Sequence, residues 1–225
     1  MVEVETNVKS FADHFAAWAE HYHGAALASV AHFLAPRFAR VYLSATNDYN
    51  ELWGWGSHPL ADPLWSTEQT EIVHTGCEAK RVEKILAISN CDTALRWLRV
   101  CWQNRDGAYN CGECEKCLMT MASLRIAGVL DRCKTFESPL DLDKLSQLDP
   151  NRDNVRRAEA NLQVLEWRGP DPELAVALRQ ILARKAAADT PEGAELREQL
   201  GLRDAEIATL RATVEGYERA ARPGS

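Results

Sequence analysis

Apolar residues at Val8, Phe11, Phe15, Trp18 and Tyr22 recur at spacings of three and four, the period of a helix that buries one face. Before it, Val2-Glu-Val-Glu5 alternates like a strand, and Thr6-Asn7 hands over to the helix. Residues 24–35 are apolar nearly all round and predict a buried helix closed by Pro36. Arg40-Val-Tyr-Leu-Ser44 and Glu71-Ile-Val-His-Thr75 have the length and β-branched character of internal strands, and Leu98-Arg-Val-Cys-Trp102 reads as a third. Thr75-Gly-Cys-Glu78 has the form of a capping box and predicts a helix with Val82, Ile85 and Leu86 inward. Strands alternating with helices imply an α/β protein with a parallel sheet flanked by helices on both faces.

The pattern changes towards the carboxyl end. Lys116 to Ala127 predicts a helix stopped by Gly128, and residues 136–150 read as a linker. Residues 151–225 carry no cysteine and only Trp167 and Tyr217 as aromatics, too little for a core of the first kind. They read as an all-α tail of three helices, broken at Gly169-Pro170 and around Thr190-Pro191, with Asp171 as a cap and Pro172 at the first helical position. In the last of these, over 194–219, Leu196, Leu200, Arg203, Ile207, Leu210, Val214 and Tyr217 form a seam of about three heptads. Such a seam serves either docking on the body or a homo-oligomer through a short coiled coil.

Composition limits the classes of function. With 225 residues and 46% hydrophobic content the chain can bury a sizeable core. The net charge is −7, residues 151–225 are nearly balanced, and no block of lysines or arginines occurs, so nucleic acid is disfavoured as a partner. No basic-then-apolar leader and no apolar run of about 18 residues is present, so the expectation is a cytoplasmic protein with no membrane partner. An odd count of seven cysteines suits a reducing compartment better than a disulfide framework.

Four of the seven cysteines lie within seventeen residues: Cys101, then Cys111, Cys114 and Cys117 in a Cys-x2-Cys-x2-Cys rhythm, with Gly112 permitting a tight turn behind the first. Four thiolates at this spacing suit a tetrahedral zinc ion better than four separately buried thiols. An iron–sulfur run would continue with x3-Cys-Pro, whereas Met121 stands four residues after Cys117. A four-thiolate zinc keeps no open position for substrate, so its expected role is structural. Cys77, Cys91 and Cys133 read as structural thiols.

The connection from Ser44 to Glu68 is far longer than the usual four to six residues or so. It follows a strand's carboxyl end, where ligands bind in open α/β sheets, and it holds Asn47, Asp48, Trp53, Trp55, Ser57, His58, Asp62 and Trp65. It reads either as a small-molecule pocket or as a self-packed loop anchored by its tryptophans. In the pocket reading His58 and Asp62 are the proton-transfer groups, and His23, Ser44, Asn47, Asp48, Trp55 and Ser57 line the substrate. His23 and His32 flank the apolar helix, with His23-Gly24 placed where a helix N-terminus can meet an anion.

His-Gly-Ala-Ala-Leu-Ala-Ser-Val (23–30), the Gly-Ser-His-Pro-Leu-x-Asp-Pro-Leu-Trp-Ser-Thr-Glu run (56–68), Arg81-Val-Glu-Lys84 and Arg-Val-Cys-Trp (99–102) with its cysteine knuckle resemble the carboxyl-terminal half of an adenine-nucleotide α-hydrolase-like domain. That is the PP-loop ATP pyrophosphatase superfamily, and the knuckle is similar to that of 7-cyano-7-deazaguanine synthase. The resemblance covers roughly residues 1–135 and implies a partial HUP-like (Rossmann-like) sheet with a zinc knuckle. It also implies adenylation of an acceptor by ATP with release of pyrophosphate, followed by displacement of AMP by a nucleophile. The family's Ser-Gly-Gly-x-Asp-Ser loop, which cradles phosphate, is not in the sequence, and neither is any Gly-Gly pair. ATP and Mg are therefore expected only where a separate nucleotide-binding half is supplied. The alternative is a non-catalytic zinc-stabilised binding or scaffold module.

Overall fold

The computed structural model of the chain describes residues 4–12, 16–193, 195 and 209. It divides into two compact units, Met1–Ala87 and Ile88–Ser225, so the helices after residue 150 belong to the same unit as the cysteine knuckle.

In the first unit, helices α1 (Val8–Ala12) and α2 (His23–Phe33) precede strand β1 (Arg40–Ser44), and the long connection leads to β2 (Glu71–Thr75). β1 and β2 pair in parallel, with Val41 opposite Ile72 and Leu43 opposite His74. Side chains alternate across a strand, so Val41, Leu43 and Ile72 share one face. There they meet Ala28 and Ala31 of α2 in a small apolar cluster, in which full burial of Leu43 and Ile72 contributes about 1.5–3 kcal/mol each. The other face carries Tyr42, 60% exposed, so this face is not covered as expected.

Several boundaries differ from expectation for identifiable reasons. The amphipathic segment 8–22 is not one helix: α1 is short, Trp18–Tyr22 forms a π-helical turn, and Phe11 is 64% exposed. Phe15, and Val2 of the expected first strand, lie outside the described residues, while Val4 and Glu5 have no regular structure. In α2 the buried positions are the small ones, Gly24, Ala26, Ala28 and Ala31, whereas Leu27 and Phe33 face outward. The expected capping box fails because Thr75 still belongs to β2 and Gly76 turns the chain with φ +91°. Helix α3 (Arg81–Ile88) starts later, and the Glu83 carboxylate reaches back to the N–H of Lys80 at 2.6 Å.

The second unit is built on α5 (Glu115–Ile126), in which every residue from Cys117 to Leu124 is buried. Gly128, at φ +73°, ends it. Short helices α4 (Asp92–Arg96) and α6 (Leu142–Ser146) and longer helices α7 (Arg152–Arg168) and α8 (Pro172–Ala188) complete the unit. α7 packs on α5 and α8, and α8 also packs on α6. Polar side chains tie these helices: Ser123 donates to Asn161 at 2.8 Å, and the Arg125 guanidinium grips both carboxylate oxygens of Asp171 at 2.6 and 2.9 Å. Asp171 in turn accepts the N–H of Leu174 as the cap of α8, with Pro172 at the first position. The expected strand at 98–102 is absent. The seam of 194–219 lies outside the described residues apart from single positions, and among the described residues no helix is long and apolar enough to cross a membrane.

Candidate functional site

Cys101, Cys111, Cys114 and Cys117 bring their sulfurs within 4.8 Å of one another. Cys101 Sγ lies 4.0 Å from Cys114 Sγ, and Cys111 Sγ lies 4.0 Å from Cys117 Sγ. A disulfide needs about 2.05 Å, so these are free thiols. Four ligands at about 2.3 Å from a tetrahedral zinc stand about 3.8 Å apart, so the donor set fits a zinc ion by number, type and spacing.

Two similar turns present the sulfurs. In one, the N–H of Asn104 donates to Cys101 Sγ at 3.3 Å, and Asn104 occupies the left-handed region with φ 45°. In the other, the N–H of Cys114 donates to Cys111 Sγ at 3.3 Å, with Gly112 at φ +72°. Cys114 stands at the N-cap position of α5, without a side-chain cap hydrogen bond, and Cys117 sits in its first turn, where the helix dipole favours a thiolate. Val100 and Phe136 pack against the cluster and help to exclude water.

Asn110 replaces the strand partner that residues 98–102 lack. Its side-chain oxygen accepts the N–H groups of Val100 at 2.9 Å and Cys101 at 3.1 Å, and its amide donates to the Leu98 carbonyl at 2.8 Å. An extended segment is thereby satisfied without a sheet, so a strand-like sequence forms no strand.

Burial works to raise the Cys101 thiol, but the backbone N–H groups of Cys111 and Asn104 outweigh it and bring it down to about 6. Burial pushes Cys114 and Cys117 above the usual thiol range; at Cys117 the Cys114 and Cys111 sulfurs add to that, while at Cys114 the hydrogen bonds of Cys117 oppose it and Cys111 adds to it. Four sulfurs this close cannot all ionise without a compensating cation, which a divalent metal supplies.

The residues of the 44–68 connection separate into three groups. Asp62 is fully buried: its Oδ2 accepts the Ser57 hydroxyl at 2.6 Å and His74 Nδ1–H at 2.7 Å, and its Oδ1 accepts the His58 N–H at 3.1 Å. His74, on β2, has no place in the sequence-based set, since a histidine inside an apolar strand carries no motif of its own. His23 and Trp55 form a second group, with rings 5.7 Å apart; His23 Nδ1–H donates to the Trp18 carbonyl at 3.2 Å. The Trp53 ring lies 4.9 Å from that of Trp55, tilted by 40°, and the buried indole N–H of Trp55 has no hydrogen-bond partner among the described residues. The third group lies at the strand ends. Ser44 is exposed, Asn47 half-buried, and buried Asp48 accepts the N–H of Asn50 at 2.9 Å. His58 is half-buried, and its Nδ1 accepts the N–H of Leu60 at 3.2 Å. Trp65 does not anchor the loop but stays largely exposed, as Trp53 does in part.

The glycines of 23–30 and 56–68 meet. Gly24 N–H donates to the Gly56 carbonyl at 2.8 Å, and a Cβ on Gly24 would stand 2.0 Å from that oxygen. This contact, with Asp62, seats the connection on α2. Of the remaining thiols, Cys77 and Cys133 are buried, and Cys133 donates to the Leu95 carbonyl at 3.3 Å; Cys91 is exposed and so does not have the structural role expected of it. Compared with known proteins, the chain matches no family model, no curated protein and no solved structure.

Proposed function

We propose that the chain holds a structural zinc at Cys101, Cys111, Cys114 and Cys117, and that its first unit is the acceptor-substrate half of an ATP-dependent adenylating enzyme of the PP-loop type. The observation that carries this reading is the parallel β1–β2 pair, in which the carboxyl end of β1 runs into the long connection seated by the Gly24–Gly56 contact. Ligands of parallel α/β sheets bind outside such ends, which favours a small-molecule substrate there. The HUP-like classification belongs to the same proposal.

In this reading the zinc contributes stability and takes no part in the chemistry, since four thiolates fill its coordination. His58 is the proton-transfer group, because with Nδ1 engaged by Leu60 its Nε2 remains the nitrogen for exchange. Asp62 acts as a positioning group: a carboxylate buried among three donors orients Ser57, His58 and His74 and does not itself meet the substrate. Ser44, Asn47 and Asp48 line the acceptor at the strand ends, with Trp55 and His23 as an aromatic wall.

The sequence has no Ser-Gly-Gly-x-Asp-Ser loop, and positioning plus preorganised charge supply most of the rate in nucleotidyl transfer. The nucleotide cradle must therefore come from a separate half. Calorimetric titration with magnesium ATP tests this: the chain alone should bind weakly or not at all, and adding a nucleotide-binding half should restore binding and pyrophosphate release. Micromolar affinity of the chain alone contradicts it.

A second reading, a zinc-stabilised binding module, is favoured by one observation. Tyr49, Leu60 and Leu64 of the connection are exposed apolar side chains, as an interaction surface requires. Under that reading the nucleotide-binding half restores nothing.

A further inference from the structure

The segments that follow β1 and β2 are joined to each other. Ala45 N–H donates to the Thr75 carbonyl at 2.7 Å, and Tyr49 N–H donates to the Cys77 carbonyl at 2.8 Å. Lys84, from α3, extends into this junction: its ammonium donates to the Ala45 carbonyl at 3.2 Å and lies 3.2 Å from where a Cβ on Gly76 would stand. Gly76 has φ +91°, so glycine serves there both the turn and the close approach of the lysine.

Lys84 is half-buried and forms no ion pair among the described residues, although an ammonium has three donors. Burial first, and repulsion from Arg81 one helical turn away second, push its pKa below the ordinary lysine value. Glu78, Asp48 and the Cys77 thiol act in the opposite sense but do not outweigh these effects. Asp48 spends Oδ1 on Asn50, Cys77 is buried with its own pKa raised, and Glu78 is exposed and makes no ion pair with Lys84 among the described residues, so none of the three is a close counter-charge. A partly desolvated ammonium whose hydrogen bond goes to a neutral carbonyl keeps its charge uncompensated, which is costly unless something anionic neutralises it.

We propose that Lys84 is an anion-binding residue, taking the carboxylate or phosphate group of a small-molecule ligand at the joined carboxyl ends of β1 and β2. The site needs neither a nucleotide nor catalysis, so it stands whether or not the adenylation reading does.

The test uses the full zinc-loaded chain. Inorganic phosphate, and separately acetate, is titrated in while backbone amides are followed by NMR, with sodium chloride at matched ionic strength as the control. Saturable shifts at Ala45, Gly76 and Cys77 are expected, lost in Lys84→Gln and retained in Lys84→Arg. Phosphate and acetate then distinguish the two ligand chemistries by which of them saturates at lower concentration. Lys84→Gln should also melt no lower than the unmutated chain, because it removes an unneutralised cation. Shifts that chloride reproduces, shifts that survive Lys84→Gln, or no saturable shift with either anion would overturn the proposal. An unfolded Lys84→Gln variant would do so too, because the lysine would then be a structural donor.

Discussion

The side-chain oxygen of Asn110 accepts the backbone N–H of Cys101 at 3.1 Å, so the first cysteine of the cluster is held by a side chain where a neighbouring strand would otherwise hold it. Asn110→Ala leaves the N–H groups of Val100 and Cys101 and the carbonyl of Leu98 without their partner. Buried unsatisfied groups cost about 1–3 kcal/mol each, so the variant should melt lower and release its metal to a chelator faster. An unchanged release rate would show that the loop is held by something else.

Gly24→Ala places a Cβ against backbone that has no room to move, 2.0 Å from the Gly56 carbonyl and 3.0 Å from Asp62 Oδ1. The first unit should lose about 3 kcal/mol, while metal content stays at wild-type level. Gly54→Ala is the control, since nothing among the described residues lies within 4 Å of its Cβ position, and it should change stability by less than about 0.5 kcal/mol. Equal urea midpoints for the two variants would remove the close approach from the account.

Asp171 is held below the usual carboxylate range: burial opposes its charge, but the Arg125 guanidinium and the Leu174 N–H outweigh it. A depressed folded pKa contributes stability that is present above the unfolded value of about 3.9 and is lost as pH falls through the folded one. Arg125→Met should therefore cost about 1–3 kcal/mol at pH near 7, and the gap to the unmutated chain should narrow under acid. Urea unfolding at both pH values checks this, and a gap independent of pH would count against the pair.

Metal removal should destabilise the second unit by several kcal/mol, because a site unformed in the unfolded chain adds its binding energy to folding. Protons compete with metal for thiolates, so chelators should act faster as pH falls. Thermal melts with and without chelator read this directly. Identical melting temperatures would deny the site a structural role.

The clustering of the four cysteines was legible because cysteine spacing is itself the signal, and the helix from Glu115 to Ile126 followed from its pattern and from Gly128. The parallel pairing of residues 40–44 with 71–75 was legible as two short apolar runs. The segment 98–102 misled because apolar alternation does not say who accepts the backbone N–H groups, and Asn110 does so from ten residues away. The late start of α3 depended on Gly76 turning left-handed, which a capping pattern at Thr75 obscures. Of the connection, Asp62 and Ser57 were found, but His74 was not. A polar cluster closed by one histidine on a strand seventeen residues from Ser57 leaves no local trace.

X-ray absorption at the zinc edge, joined to elemental analysis of the purified chain, is the most direct test of the Cys101–Cys111–Cys114–Cys117 centre. One zinc per chain with four sulfur neighbours at about 2.3 Å, falling to less than one zinc in Cys114→Ser, is the predicted result. Iron with visible absorbance, or no metal with all seven thiols freely titrating, would contradict it.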